Sequence, residues 1–298
     1  MKGKRPGKAS AGQNRQRSKG KTRSAASRPR QAERRRQQPL APAPGAEERV
    51  QKVIANAGLG SRREVEQWIR DGAVSINGQP AELGQRVSSA DRVLVRGRPS
   101  PTRRPARQRV LIYHKPAGEL CSRSDPQGRP VVFDRLPGLS GQRWIAIGRL
   151  DMNTSGLLLF TTDGELANGL MHPSSEISRE YLVRVLGEVS HDHLRRVAQG
   201  VTLEDGKAKF EEIEVVGGRG ANSWYRVLVR EGRNRLVRRL WESQGLTVSR
   251  LKRATYGPIE LPRDLAPGRW VEADAAQVKQ LYGALRRGGA GDSLRSTG

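Results

Sequence analysis

Where the chain places its large apolar residues limits its folding more than any other feature. Residues 1–46 carry fourteen Lys/Arg, from Lys2 to Arg36, against one acid, Glu33, and almost no large apolar side chain. Such a segment cannot bury enough surface to offset the entropy of ordering it, and it reads as a disordered basic arm. From Glu47 onward apolar residues recur in short runs; Leu157–Phe160 stops at four. A bilayer span needs about 20. The basic N-terminus has no apolar stretch behind it, so no signal peptide is expected and the reading is cytoplasmic. A length of 298 residues suits about two domains of ordinary size.

The formal charge is +25. That points to a polyanionic partner, nucleic acid before membrane, since no large apolar face accompanies the charge. The single cysteine, Cys121, cannot form an intramolecular disulfide and fits a reducing cytosol. With it and four scattered histidines, no zinc spacing can be drawn. His191 and His193 read as surface residues on a polar segment. No metal or cofactor is expected.

Residues 47–97 read as a small α+β module. Val50, Val53, Ile54 and Ala57 recur at helical spacing, and Gly58 and Gly60 end that pattern. Ser61, three residues before Glu64, is a capping box that opens a second helix with Val65, Trp68 and Ile69 as its stripe. Short strands follow at Ala73–Ile76 and Arg92–Val95, with an Asn77-Gly78 turn between them. Arg49-Val50-Gln51-Lys52-Val53-Ile54-Ala55, Gly60-Ser61-Arg62-Arg63-Glu64 and Gly72-Ala73-Val74-Ser75-Ile76-Asn77-Gly78 together resemble the S4 RNA-binding domain. The resemblance implies that Arg49, Lys52, Arg62, Arg63 and Arg70, on its helices, grip RNA shape and phosphates.

Residues 98–107, with three prolines and four arginines, read as an extended linker. Residues 108–287 then show β-rich segments at Val110–Tyr113, Ile145–Ile147, Leu157–Thr161, Tyr181–Leu186 and Tyr225–Arg230. Helical patterns intervene at Glu165–Met171, His191–Gln199 and Arg235–Gln244. The expected architecture is α+β, with a mixed, largely antiparallel sheet. Residues 288–298, rich in Gly, Ser and Arg, read as a disordered tail.

The most informative stretch is Gly148-Arg149-Leu150-Asp151, followed by Thr154-Ser155-Gly156-Leu157-Leu158-Leu159 and Thr162-Asp163-Gly164-Glu165. An aspartate in a polar, glycine-bounded loop between apolar strands is held rigidly yet exposed, although most such residues only cap turns. These motifs are very similar to the catalytic motif of the pseudouridine synthases that carry an N-terminal S4 domain. The resemblance implies that Asp151 is the catalytic carboxylate. Two further segments match that family. Arg179-Glu180-Tyr181-Leu182-Val183 implies a base-packing role for Tyr181. Glu231-Gly232-Arg233-Asn234-Arg235-Leu236-Val237-Arg238-Arg239-Leu240-Trp241 implies that Arg238 pairs with the carboxylate and Val237 walls the base. Arg149 is expected to contact phosphate or brace its loop.

An ionised carboxylate suits this reaction, and an arginine in contact lowers a carboxylate pKa by roughly 1–3 units. The segment Lys115 to Pro130, with Phe133-Asp134-Arg135-Leu136-Pro137, resembles the large-subunit branch of the family, which implies a uridine of 23S rRNA as target; a monomer is expected. A 16S rRNA target and a non-catalytic S4-type assembly factor are the alternatives. A glycosidic hydrolase would need a second positioned carboxylate. Asp163 and Glu165 are available, but they read as the start of a helix, where acids are favoured.

Overall fold

The computed structural model describes residues 47–100, 108–219 and 222–289. The expected basic arm at 1–46, most of the linker and nearly all of the C-terminal tail lie outside the described residues.

The N-terminal module runs β1 (Glu48–Arg49), α1 (Val50–Asn56), α2 (Arg62–Arg70), β2 (Val74–Ile76), β3 (Gln79–Pro80), β4 (Arg86–Val87), β5 (Val93–Val95) and β6 (Arg98–Pro99). The capping box forms in both directions: Glu64 N–H donates to Ser61 Oγ at 3.1 Å, and Ser61 N–H to Glu64 Oε2 at 2.5 Å. A cap of this kind is worth about 1 kcal/mol. Asn77 and Gly78 both take positive φ, 51° and 87°, and turn β2 into β3. Val50, Ile54, Val65, Val74 and Val93 are buried together as this module's core.

Residues 98 and 99 do not begin a linker. Arg96 and Gly97 adopt φ of 50° and 75° and fold the chain back. β6 then pairs with β5, and Ser100 is buried behind it. The turn was legible only from backbone geometry. Pro99 is tolerated because β6 lies at the sheet edge.

The larger part runs β7 (Val110–Lys115), β8 (Ile145–Ile147), β9 (Ser155–Thr161), α3 (Gly164–Met171), β10 (Arg179–Leu186), α4 (His191–Gln199), β11 (Val201–Leu203) and β12 (Gly206–Ala208). It continues with β13 (Glu212–Arg219), β14 (Asn222–Val229), α5 (Leu236–Glu242), β15 (Thr247–Tyr256), β16 (Ile259–Glu260), β17 (Trp270–Glu272) and α6 (Ala275–Gly289). Its large sheet is ordered β13-β14-β10-β15-β9-β7-β17, with β8 beside β9 and β16 beside β15. Every pairing is antiparallel except β15 with β9. Helix α6 runs two residues past the expected boundary at 287.

The continuous apolar run in β9 is explained by burial on both faces. Leu157 and Leu159 pack with Val110, Ile112, α3 and α6 on one side. Leu158 and Phe160 pack with Leu111, Tyr113, Trp144 and Leu150 on the other. Each such side chain contributes roughly 1.5–3 kcal/mol when fully buried. A third core, beneath β10, β14 and β15, gathers Val183, Val227, Leu251 and the α5 residues Val237, Leu240 and Trp241.

His114, on β7, is buried, and its Nδ1 lies 2.6 Å from the carbonyl of Leu265. A carbonyl can only accept, so Nδ1 carries the proton. Burial holds this imidazole below its ordinary value of 6.5, helped by the Lys252 charge and opposed by the hydrogen bond to Leu265. Below about pH 6.5 the unfolded chain therefore binds a proton that the native state resists, and stability falls with pH. Urea unfolding at pH 8 and pH 5 should show a smaller acid loss in His114→Leu than in the parent. An equal loss would remove His114 from the account.

Candidate active site

Asp151 lies in the short loop from β8 to β9. Gly148, at φ +80°, opens the loop, and Leu150 anchors it by burying its side chain in the cluster with Tyr113, Trp144 and Phe160. The backbone closes a turn where Thr154 N–H donates to the Asp151 carbonyl at 3.0 Å. Leu150 N–H donates to Cys121 Sγ at 3.3 Å, and burial pushes that thiol's pKa up.

The carbonyls that follow Asp151 are held by two buried cations. Lys115, fully buried, donates from Nζ to the carbonyls of Thr154 (2.9 Å), Met152 (3.3 Å) and Pro116 (2.9 Å). Gly118 N–H adds a second bond to the Met152 carbonyl at 2.8 Å. Arg238, 7% exposed, donates to the carbonyls of Asn153 at 3.0 Å and Val248 at 2.9 Å. Burial lowers the pKa of both cations, and the negative charge of Asp151 opposes that shift in each. The loop is thus tied down from below while the Asp151 carboxylate stays half-exposed.

The expectation that Arg238 pairs directly with Asp151 needs correcting. The two charges act on each other, but the guanidinium spends its hydrogen bonds on backbone carbonyls. The reason is position: α5 sits beneath β15 and the loop, so Arg238 meets the turn's underside. Its effect on Asp151 is to fix the loop and to supply positive charge nearby.

Asp151 opens onto a cleft of about 960 Å³. Arg149, Tyr181 and Val237 line the same cleft, with Val229 and Leu251 adding apolar wall. Arg149 is exposed, Tyr181 is half-buried on β10, and Val237 is buried on α5. Tyr181 pairs across the sheet with Val227 and Arg253, beside a register shift between Glu180 and Tyr181.

Gly156 makes this convergence possible. It pairs with Arg253 in the only two-residue register that joins β9 to β15, Ser155 with Lys252 and Gly156 with Arg253. An added Cβ would lie 2.2 Å from the Arg253 carbonyl oxygen, and the residue holds φ +108°. Only glycine permits so close an approach.

Three residues of this site were not anticipated. Lys115 carries the Asp151 turn. Arg253, 2% exposed, donates from Nε to the Leu157 carbonyl at 2.8 Å and stacks on Tyr256. Arg179 stacks on Tyr256 as well and donates to the carbonyls of Ile177 and Arg230. Charged residues inside strands give no periodicity signal for burial. For Lys115 the Lys-Pro-Ala-Gly segment was the available clue.

The five basic residues expected to meet RNA divide into two groups. Arg62, Arg63 and Arg70 lie exposed on α2. Arg49 is exposed too, but it precedes α1 in extended conformation (φ −61°, ψ 133°) and belongs to β1, not to a helix. Lys52 is already occupied: its ammonium bridges Glu48 at 2.7 Å and Glu165 at 2.6 Å. It joins the N-terminal module to α3, and is not a free phosphate ligand.

Among the described residues, no second carboxylate of the kind a glycosidic hydrolase needs lines the cleft. Asp163 caps α3, accepting from Glu165 N–H at 2.8 Å, and also accepts from Tyr282 OH at 2.6 Å. Neither Asp163 nor Glu165 lines the cleft. Among the described residues, no group of three or more His, Cys, Asp or Glu side chains is placed to hold a metal ion. No helix among them is long and apolar enough to cross a membrane.

Comparison with known proteins shows the family. Residues 109–243 match the family described as RNA pseudouridylate synthase, and residues 48–93 match the S4 domain. The chain is 57% identical over 242 residues to the ribosomal large subunit pseudouridine synthase B of Salmonella typhimurium, covering 80% of this chain and 83% of that protein. It is 58% identical over 238 residues to the protein of that name from Escherichia coli K12, covering 78% and 82%. The namesake from Pseudomonas aeruginosa is 57% identical over 237 residues, which span 78% of this chain and 61% of that protein. A solved pseudouridylate synthase superposes with a TM-score of 0.55 at 25% identity, covering 78% of this chain and 99% of that one. The chain belongs to the RNA pseudouridylate synthase family, with an S4 domain ahead of the synthase domain.

Proposed function

We propose that this protein converts one uridine of 23S rRNA to pseudouridine, with Asp151 as the catalytic carboxylate. The observation that carries the reading is that Asp151, Arg149, Tyr181 and Val237 line one cleft. The relatives named for the large ribosomal subunit favour 23S over 16S rRNA.

The reaction breaks the bond between N1 of uracil and C1′ of ribose, turns the freed base, and joins C5 to C1′ with loss of the C5 proton. An ionised Asp151 oxygen either attacks C1′ to form an ester or removes a ribose proton to give a glycal. Both routes need the carboxylate held in place, a task for Lys115 and Arg238 beneath its loop. The detached base must not escape. Tyr181 offers a face for stacking, worth about 1–3 kcal/mol per base, and Val237, Val229 and Leu251 close the apolar side. The target nucleotide has to leave any helix to reach this depth, at a cost of a few kcal/mol. Exposed arginines of α2 supply phosphate contacts that offset it.

The test is a map of pseudouridine across 16S and 23S rRNA in cells lacking the protein, complemented by the parent or by Asp151→Asn. The expected result is loss of one 23S position that the parent alone restores. A lost 16S position would transfer the target, and unchanged maps would overturn the enzymatic reading.

A further inference from the structure

Beyond Asp151, the cleft carries a cluster of arginines with no role in the chemistry. Arg123, in the segment between β7 and β8, and Arg143, two residues before β8, both line it. Ser61, the N-cap of α2, lines it as well, and Arg62 is the first residue of that helix. Arg123 is fixed in place. Its guanidinium stacks 4.5 Å from the Phe133 ring centroid and donates to the carbonyl of Trp144, the residue after Arg143. Arg143 makes no hydrogen bond to protein among the described residues, and its Nε is buried without an acceptor.

Charge around this cluster is poorly balanced. Burial lowers the pKa of Arg143, and the positive charges of Arg123 and Arg62 push it in the same direction. Among the described residues, Glu64 is the one acid acting on Arg123 and Arg143. Its carboxylate is already engaged by Ser61 N–H in the capping box. Arg123 and Arg143 thus share one occupied carboxylate, and the charge of Arg62 adds to the repulsion on Arg143, at the edge of a cleft whose proposed substrate is a polyanion.

We infer that Arg123 and Arg143, with Arg62 nearby at the start of α2, form a binding site for backbone phosphates of the RNA that enters the cleft. This rests on the proposed function and deepens it. The terminal nitrogens of Arg143 make no hydrogen bond to the described residues, and a phosphodiester oxygen in the cleft gives them an acceptor whose charge relieves the repulsion among the arginines. Guanidinium groups suit it because their N–H forks match phosphate geometry. The site also joins both modules on one strand of RNA, with Arg62 from α2 and the other two from the synthase domain.

The test is filter binding of the full chain to an unmodified 23S rRNA transcript over a range of KCl concentrations. Each phosphate contact contributes about 0.7–0.9 to the slope of log affinity against log salt. Arg143→Gln should weaken binding about tenfold and lower the slope by about that amount, and Arg123→Gln/Arg143→Gln should lower it about twice as far. Arg143→Gln alone removes no hydrogen bond to the described residues, so it carries the test even if the double variant fails to fold. Arg129, exposed and paired with Asp125 at 2.7 Å, serves as control. Arg129→Gln should leave the slope unchanged. An unchanged slope in Arg143→Gln, or an equal drop in the control, overturns the inference. Pseudouridine formation by the parent protein separates the two readings. A parent protein that forms no pseudouridine sinks the proposed function, while the slope still decides the arginines.

Discussion

Asp151→Asn should lower pseudouridine formation by about 10⁴-fold or more while RNA binding changes by less than about threefold. Asparagine matches aspartate in size and leaves the turn intact, because that turn is held through backbone carbonyls bound by Lys115 and Arg238. What disappears is the charged oxygen that both candidate routes require. Release of tritium from RNA labelled at C5 of uridine measures the reaction directly, since the C5 hydrogen leaves when C5 joins C1′. Binding of the same RNA by the variant shows that the cleft survives. Activity above about a tenth of the parent's would mean that another group performs the step.

The largest expected effect on stability comes from Gly156→Ala. The new methyl would meet the Arg253 carbonyl oxygen at 2.2 Å, a backbone atom with no side-chain freedom to withdraw, and the residue would hold φ +108°. Strain and clash together should cost about 3–5 kcal/mol. For a folded region of this size that corresponds to a melting temperature lower by about 6–20 °C. Activity should fall further than the loss of folded protein explains, because the β9–β15 seam sets how far the Asp151 loop stands from Leu251 and Tyr181. Thermal unfolding followed by circular dichroism checks the first effect, and kcat measured well below the melting temperature checks the second. A variant that melts with the parent would show that the sheet closes without this contact.

How far the fold could be read from sequence depended on whether a residue's neighbours were local. Ser61 and Glu64 are three positions apart, and their mutual hydrogen bonds follow from helix geometry alone. The unbroken apolar run Leu157–Phe160 announces a strand covered on both faces, and that is its setting. β15 gave no such signal. Its apolar residues alternate with Arg250, Lys252 and Arg253, and Arg253 is buried because Tyr256 and the Leu157 carbonyl receive its guanidinium. Those partners are distant in the chain or specific to the folded sheet. At the candidate site the loop motif pointed to Asp151, but the partners of Arg238 were misjudged. A guanidinium near a carboxylate suggests an ion pair, and only the position of α5 reveals that the carbonyls of Asn153 and Val248 lie closer to hand. Lys52 was misread for the same reason, since Glu165 lies 113 positions away.

Consecutive backbone oxygens converging on positive charge are how many proteins seat a metal ion. Here the turn beneath Asp151 has that wiring, from Met152 through Thr154, with an ammonium and a guanidinium where an ion would sit. These cations are covalently part of the polypeptide, so they cannot be chelated, exchanged or diluted away. The position of this loop is therefore set as the chain folds.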